Sequence, residues 1–254
     1  MKTSTDHLLT THVGSLPRSE VVTRGVFAIE NDEPIDIDEH RREISSAVVD
    51  VVGRQVEAGV DVVSDGEMSK VAYATYAKDR LTGFAGDSER RVNLDVAPYP
   101  IFREKMARMT GAQPMRRPQC VGPVEIKDRE PLRRDLANLK SAMDSADVTE
   151  AFLTSSSPGV ASAFMPNAYY PSHGAYIEAL GAAMKEEYEA IVDAGFILQV
   201  DCPDLAMGRH VVYSRDSDTD FVRQAEMHIE VLNAALVNVP AERARMHVCW
   251  GNYN

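Results

Sequence analysis

Short apolar runs alternate with long amphipathic stretches along most of this chain, and that alternation restricts the fold more than any single residue does. The stretch Asp38–Ala58 places Ile44, Val48, Val51, Val52 and Val56 at helical spacing, with Asp38 as N-cap and Gly59 as the stop. Ser172–Ala194 repeats the pattern with Ile177, Leu180, Met184, Tyr188 and Ile191, and ends at Gly195. Helices are also expected over Pro131–Met143 and Thr219–Val237. Strand-length runs fall at Leu8–Val13, Val60–Ser64, Gln119–Val124, Ala151–Thr154, Phe196–Val200 and Arg245–Cys249. Strand then helix, repeated about six times, implies a parallel sheet with helices outside it, because parallel strands need a crossover connection. No linker divides the chain, so residues 1–254 are read as one α/β domain. The region 73–115 breaks the alternation; it is read as an insertion on a strand-to-helix loop, with a hairpin near Arg91–Val96.

Charge and cysteine usage narrow the function classes. With 27 Lys plus Arg against 39 Asp plus Glu, the 254 residues carry a formal charge of -12, which repels phosphate backbones and argues against nucleic acid. No run approaches the roughly 20 apolar residues of a bilayer span, and the N-terminus MKTSTDHLLTTHVGS lacks the apolar region of a signal peptide. Three cysteines, Cys120, Cys202 and Cys249, are too few and odd in number for a disulfide framework. The expectation is a cytoplasmic protein acting on small molecules, with homo-oligomerisation left open.

Polar residues gather at the C-terminal ends of the strand candidates: His12, Gly14 and Ser15; Asp65 and Glu67; Ser155–Ser157; Asp201 and Asp204; His247 and Cys249. In parallel α/β barrels those ends converge on the active site. Taken singly, Asp204 or Ser172 reads as a turn or cap residue. On a strand, His247 and Cys249 project to the same side, and nitrogen plus thiolate suits zinc. His-x-Cys alone is also compatible with a Cys that is merely a small buried hydrophobe. Cys202, Glu67 and Asp201 could add donors, although none shows ligand spacing.

Four segments carry a family resemblance. Thr10–Arg18 (TTHVGSLPR), Asp61–Glu67 (DVVSDGE), Gln199–Asp204 (QVDCPD) and Met246–Cys249 (MHVC) resemble, in order, motifs of the catalytic domain of cobalamin-independent methionine synthases. The resemblance implies a TIM (β/α)8-type barrel that transfers a methyl group from methyltetrahydrofolate to the thiol of homocysteine. It implies zinc bound by His247 and Cys249. It implies that Ser15, through its loop backbone, and Glu67 hold the amino-acid part of homocysteine, and that Asp201 binds its ammonium. No residue is singled out as a catalytic acid or base. The family's zinc site has four protein ligands, of which this sequence matches His247 and Cys249, ending five residues later. The barrel is therefore expected to be incomplete at its C-terminal side. The family's Asp-Glu-Pro reads Asp201-Cys202-Pro203, and its pterin-facing aromatic has no evident counterpart in Thr154–Ala161. A related thiol alkyltransferase with another donor or acceptor, as in coenzyme M chemistry, and a catalytically inactive barrel are the alternatives. Uroporphyrinogen decarboxylases share the fold but need no metal, which His247-Val248-Cys249 argues against.

Overall fold

The computed structural model describes residues 1–88, 96–109, 116–146, 148 and 150–249. Its elements run α1 (Glu20–Glu30), α2 (Ile37–Glu57), β1 (Val62–Ser64), β2 (Phe84–Ala85), α3 (Pro100–Met109), β3 (Gln119–Cys120), α4 (Glu130–Asp144), β4 (Glu150–Ser156), α5 (Pro158–Phe164), α6 (His173–Asp193), β5 (Ile197–Asp201), α7 (Gly208–Val211), α8 (Asp218–Ala235) and β6 (Ala244–His247).

Local chemistry explains the helix ends. Asp36, not Asp38, caps α2, because its carboxylate accepts from the free N–H groups of Asp38 and Glu39. Ser172 caps α6 through Ala175 N at 3.1 Å. Gly59 and Gly195 follow α2 and α6 at φ 79° and 93°, a left-handed conformation that glycine adopts without a Cβ clash. The helix α1 was not among the expected elements; Ser19 caps it.

The main sheet has the order β1-β4-β5-β6, all parallel. On the outer side of β1, Thr11 forms a parallel bridge with Val62, and Thr10 O accepts from Asp61 N and Val62 N. The expected strand Gln119–Val124 does not join this sheet. Only Gln119–Cys120 is extended, and it pairs antiparallel with β2. Cys120 also docks beside Asn167, so the segment lines the mouth of the fold instead of filling a sheet position between β1 and β4. The hairpin expected near Arg91–Val96 falls on residues 89–95, outside the described residues.

The core lies between the sheet and its helices, with Val52, Val63, Leu153, Tyr176, Leu180, Tyr188 and Leu198 fully buried. Each such side chain contributes about 1.5–3 kcal/mol on leaving water. Tyr188 stays satisfied by donating to Ser156 O at 2.7 Å, which locks α6 onto the end of β4. Side chains on the opposite face of the sheet reach back to the N-terminal segment. The Arg245 guanidinium, on β6, lies 3.8 Å from the Phe152 ring centroid and donates to Gln199 Oε1 and Thr11 Oγ1. Gln199 Nε2 donates to Val13 O. Strands β5 and β6 are thus tied across the inner face to residues 11–13, which places the ends of the array around one mouth.

Candidate functional site

The first wall of the mouth is the turn after β1. Gly66 and Glu67 both have positive φ, 62° and 58°. For Glu67 that conformation costs about 1–2 kcal/mol and persists only where neighbours hold it. They do. Gly66 N donates to Ser64 Oγ and Glu67 N to Asp65 Oδ1, each at 3.0 Å. The Arg18 guanidinium donates to Glu67 O and Lys70 O. Leu16 N donates to Gly66 O at 3.1 Å, which seats the Gly14–Arg18 loop, with exposed Ser15, on this turn.

The Glu67 side chain is buried against β4. Thr154 Oγ1 donates to Glu67 Oε1 at 3.1 Å, and Lys70 Nζ donates to Thr154 O and Oγ1 at 2.7 and 3.0 Å. Burial pushes the Glu67 carboxyl above its ordinary range; the Lys70 ammonium opposes this, and the Asp65 and Asp201 carboxylates add to it.

The second wall is the β5–β6 pair. Parallel register sets Gln199 beside Arg245 and Asp201 beside His247. Asp201 Oδ1 accepts from Gln199 Nε2 at 2.8 Å and lies 3.1 Å from His247 Nδ1. Burial raises the Asp201 carboxyl, while the bonds from Gln199 and His247 pull it down. The Asp201 contact engages one ring nitrogen of His247 and leaves Nε2 for a ligand. Cys249 follows two residues on, half-buried, and its carbonyl accepts from Met207 N at 3.1 Å. The Tyr73 phenol faces the same space: burial first, then the charges at Asp201, Cys249, Glu67 and Asp204, drive its pKa far up.

Among the described residues no group of three or more His, Cys, Asp or Glu side chains is arranged to hold a metal ion. Cys202, the sulfur nearest in sequence, does not complete the set. It is fully buried, its thiol points to Val200 O at 3.7 Å, and burial raises its pKa strongly. Cys120 is likewise buried and bonded to Gly122 O. The serines after β4 are structural: Ser155 donates to Glu187 and Ser157 caps α5.

Residues 8–254 match the profile of the family described as the cobalamin-independent synthase catalytic domain. The chain belongs to that family. Family relatives include the methionine synthase of Sulfolobus acidocaldarius, 25% identical over 248 residues that cover 97% of this chain and 62% of that protein. The methionine synthase of Saccharolobus solfataricus is also 25% identical, over 97% of this chain and 64% of its own length. This chain therefore spans less than two thirds of these synthases. Two solved family structures show the same fold. A Listeria monocytogenes protein described as a vitamin-B12-independent methionine synthase has a TM-score of 0.66 at 21% identity, over 98% of this chain and 68% of that one. A B12-independent methionine synthase from Shewanella, in complex with selenomethionine, has a TM-score of 0.63 at 19% identity, over 85% of this chain and 54% of that one.

Of the expected synthase site residues, Glu67 and Asp201 are close enough to perturb one another's charge, Asp201 touches His247, and Ser15 sits on the Glu67 turn. Lys70, Thr154 and Tyr73 were not anticipated. A buried lysine has no periodic signature, and only the β1–β4 pairing brings Thr154 to it.

Proposed function

We propose that this chain is the thiol-activating part of a zinc-dependent methyltransferase that moves a methyl group from methyltetrahydrofolate to homocysteine, forming methionine. The contact of Asp201 with His247 carries the reading. A carboxylate on one imidazole nitrogen fixes the tautomer and makes the other nitrogen a better metal donor. With Cys249 two residues beyond His247, just past the end of β6, the pair would supply nitrogen and thiolate, the donors zinc prefers. Two donors make half of a tetrahedral set, and the substrate thiol is a further one. Bound zinc lowers the pKa of that thiol, so that a thiolate nucleophile is available at neutral pH.

The chain's own residues hold the amino acid. The Ser15 loop offers backbone N–H groups to the carboxylate. Glu67, whose charged form the nearby Lys70 ammonium favours against burial, and the second oxygen of Asp201 accept from the ammonium. The Shewanella synthase, solved with the selenium analogue of methionine, supports an amino-acid site in this fold. The setting is a reducing cytoplasm and the ligands are small molecules; no described helix is long and apolar enough to cross a membrane.

The test is incubation of zinc-supplemented protein with labelled methyltetrahydrofolate and homocysteine. Labelled methionine is expected, and none from His247→Ala or Cys249→Ala. Transfer to a different thiol, or retained activity in both variants, refutes the reading.

A further inference from the structure

A second polar cluster lies beside the proposed thiol site. Asp204 and His228 are both buried, and His228 Nδ1 lies 2.8 Å from Asp204 Oδ2. Ser157 Oγ donates to Asp204 Oδ1 at 2.8 Å. On the far side, His228 Nε2 lies 2.9 Å from His173 Nε2, and the Tyr213 hydroxyl lies 3.4 Å from the same nitrogen. The two ring centroids are 5.2 Å apart, so the nitrogens lie near the line that joins them. That is the geometry of a hydrogen bond, not of two donors converging on one metal. Gly159 makes room for the cluster: a Cβ there would fall 2.1 Å from Asp204 Oδ2 and 2.3 Å from His228 Nδ1.

Proton bookkeeping gives the cluster a direction. The buried carboxylate takes the Nδ1–H of His228, so neutral His228 can only accept at Nε2. His173 must then donate its Nε2–H, which leaves its Nδ1 a bare acceptor. His173 lines a cavity of about 620 Å³ shared with Arg117, Asn167, Met207, Tyr213 and Gln224. Met207, on the wall of this cavity, also donates its N–H to the Cys249 carbonyl at 3.1 Å. Desolvation and the neighbouring His228 keep His173 neutral at rest, with a pKa lowered to about 4.

We propose that Asp204, His228 and His173 form a proton relay opening into this cavity, and that it serves a nitrogen-bearing alkyl donor bound there. The proposal deepens the methyl-transfer reading and rests on it. That reaction moves one proton: the thiol loses it, and the nitrogen that leaves the methyl group must gain it. The sulfur electron pair forms the S–C bond, the N–C electron pair goes to nitrogen, and the thiol proton needs a temporary acceptor. His173 Nδ1 takes it, its Nε2 proton shifts to His228, and Asp204 balances the charge. The reverse shift delivers the proton to the departing nitrogen, with no outside reactant. Asp204 and His228 lie behind His173; among the described residues that line the cavity, Tyr213 and Arg117 also titrate or carry charge, and the Arg117 guanidinium lies 5.0 Å from the Phe164 ring centroid.

Two measurements on the full chain decide it. In protein with 15N-labelled histidine, a scalar coupling between His173 Nε2 and His228 Nε2 is expected, and its loss in Asp204→Asn. Absence of the coupling in the wild type overturns the relay. In the methyl-transfer assay, half-buried His173 tolerates substitution. His173→Gln should lower kcat roughly 100-fold with little change in KM, and added imidazole should partly rescue His173→Ala. A His173→Gln rate within twofold of wild type, or no rescue, overturns the catalytic role. If wild-type protein makes no methionine while the coupling persists, the methyl-transfer reading fails and, with it, the assignment of the cavity to an alkyl donor.

Discussion

Replacing Gly159 by Ala should destabilise the protein, although local propensity points the other way. Gly159 sits in the first turn of α5, at an ordinary helical φ, where Ala is favoured over Gly by about 0.5–1 kcal/mol. The added Cβ, however, would lie 2.1 Å from Asp204 Oδ2 and 2.3 Å from His228 Nδ1. Neither side chain can swing away freely, since both are buried, Ser157 holds Asp204 and His173 holds His228. Relieving the overlap breaks a buried bond between a carboxylate and an imidazole, at a cost of about 2–4 kcal/mol. After the helix gain is subtracted, the net loss is about 1–3 kcal/mol, a fall in Tm of roughly 3–10 °C for a chain of this size. Gly53→Ala is the matched control. Gly53 lies inside α2 with nothing within 4 Å of the added Cβ, so the same substitution should stabilise by about 0.5–1 kcal/mol. Urea and thermal unfolding of the two variants beside wild type measure both signs. A Gly159→Ala protein as stable as wild type, with the His228–Asp204 bond still visible by NMR, would refute the steric argument.

Asp201→Asn should weaken zinc binding roughly 10–100-fold with the fold intact, because it removes the negative charge that supports His247; metal titration against a chelating dye reads this. Lys70→Met removes the cation that favours the charged form of Glu67, so the carboxyl pKa moves further up. The homocysteine KM should rise and recover as pH is raised, because the charged carboxylate is the form that accepts from the ammonium. His173 titrates at about 4 in the fold against 6.5 when unfolded. Between those values the unfolded chain binds the extra proton, so stability falls as pH drops through that window and is undiminished above it. His173→Gln should therefore flatten the pH dependence of the urea midpoint between pH 6.5 and 4; an unchanged slope assigns it to other groups.

Glu67 shows how strain and electrostatics serve one end. A carboxylate on a left-handed residue, buried beside Asp65 and Asp201, would protonate or turn outward without support. Arg18 pins its backbone and Lys70 offsets its burial. The proposed substrate ammonium would relieve the same repulsion. Asp201 is in a similar state, with one oxygen used by Gln199 and His247 and the other left for ligand.

Periodicity determined the helices. The stripes in α2 and α6 are local properties, and those helices, like α8, end within two residues of expectation. Strand alternation led to the expectation that His247 and Cys249 face one way, but β6 ends at His247 and Cys249 lies beyond it. What the tertiary structure decided was non-local. Gln119–Val124 has the apolar content of a sheet strand, yet β4 took the place beside β1 and left Gln119–Cys120 to pair with β2. Lys70 meets Thr154 only because β1 and β4 are neighbours, across 84 residues of chain. His173, His228 and Asp204 lie on α6, α8 and the turn after β5, and no spacing in the sequence foretells that half-buried His173 and the two buried groups will share two protons. Hydrophobic pattern specifies which face of an element is covered; strand order specifies which polar groups then meet, and that order is settled by the packing of the whole sheet.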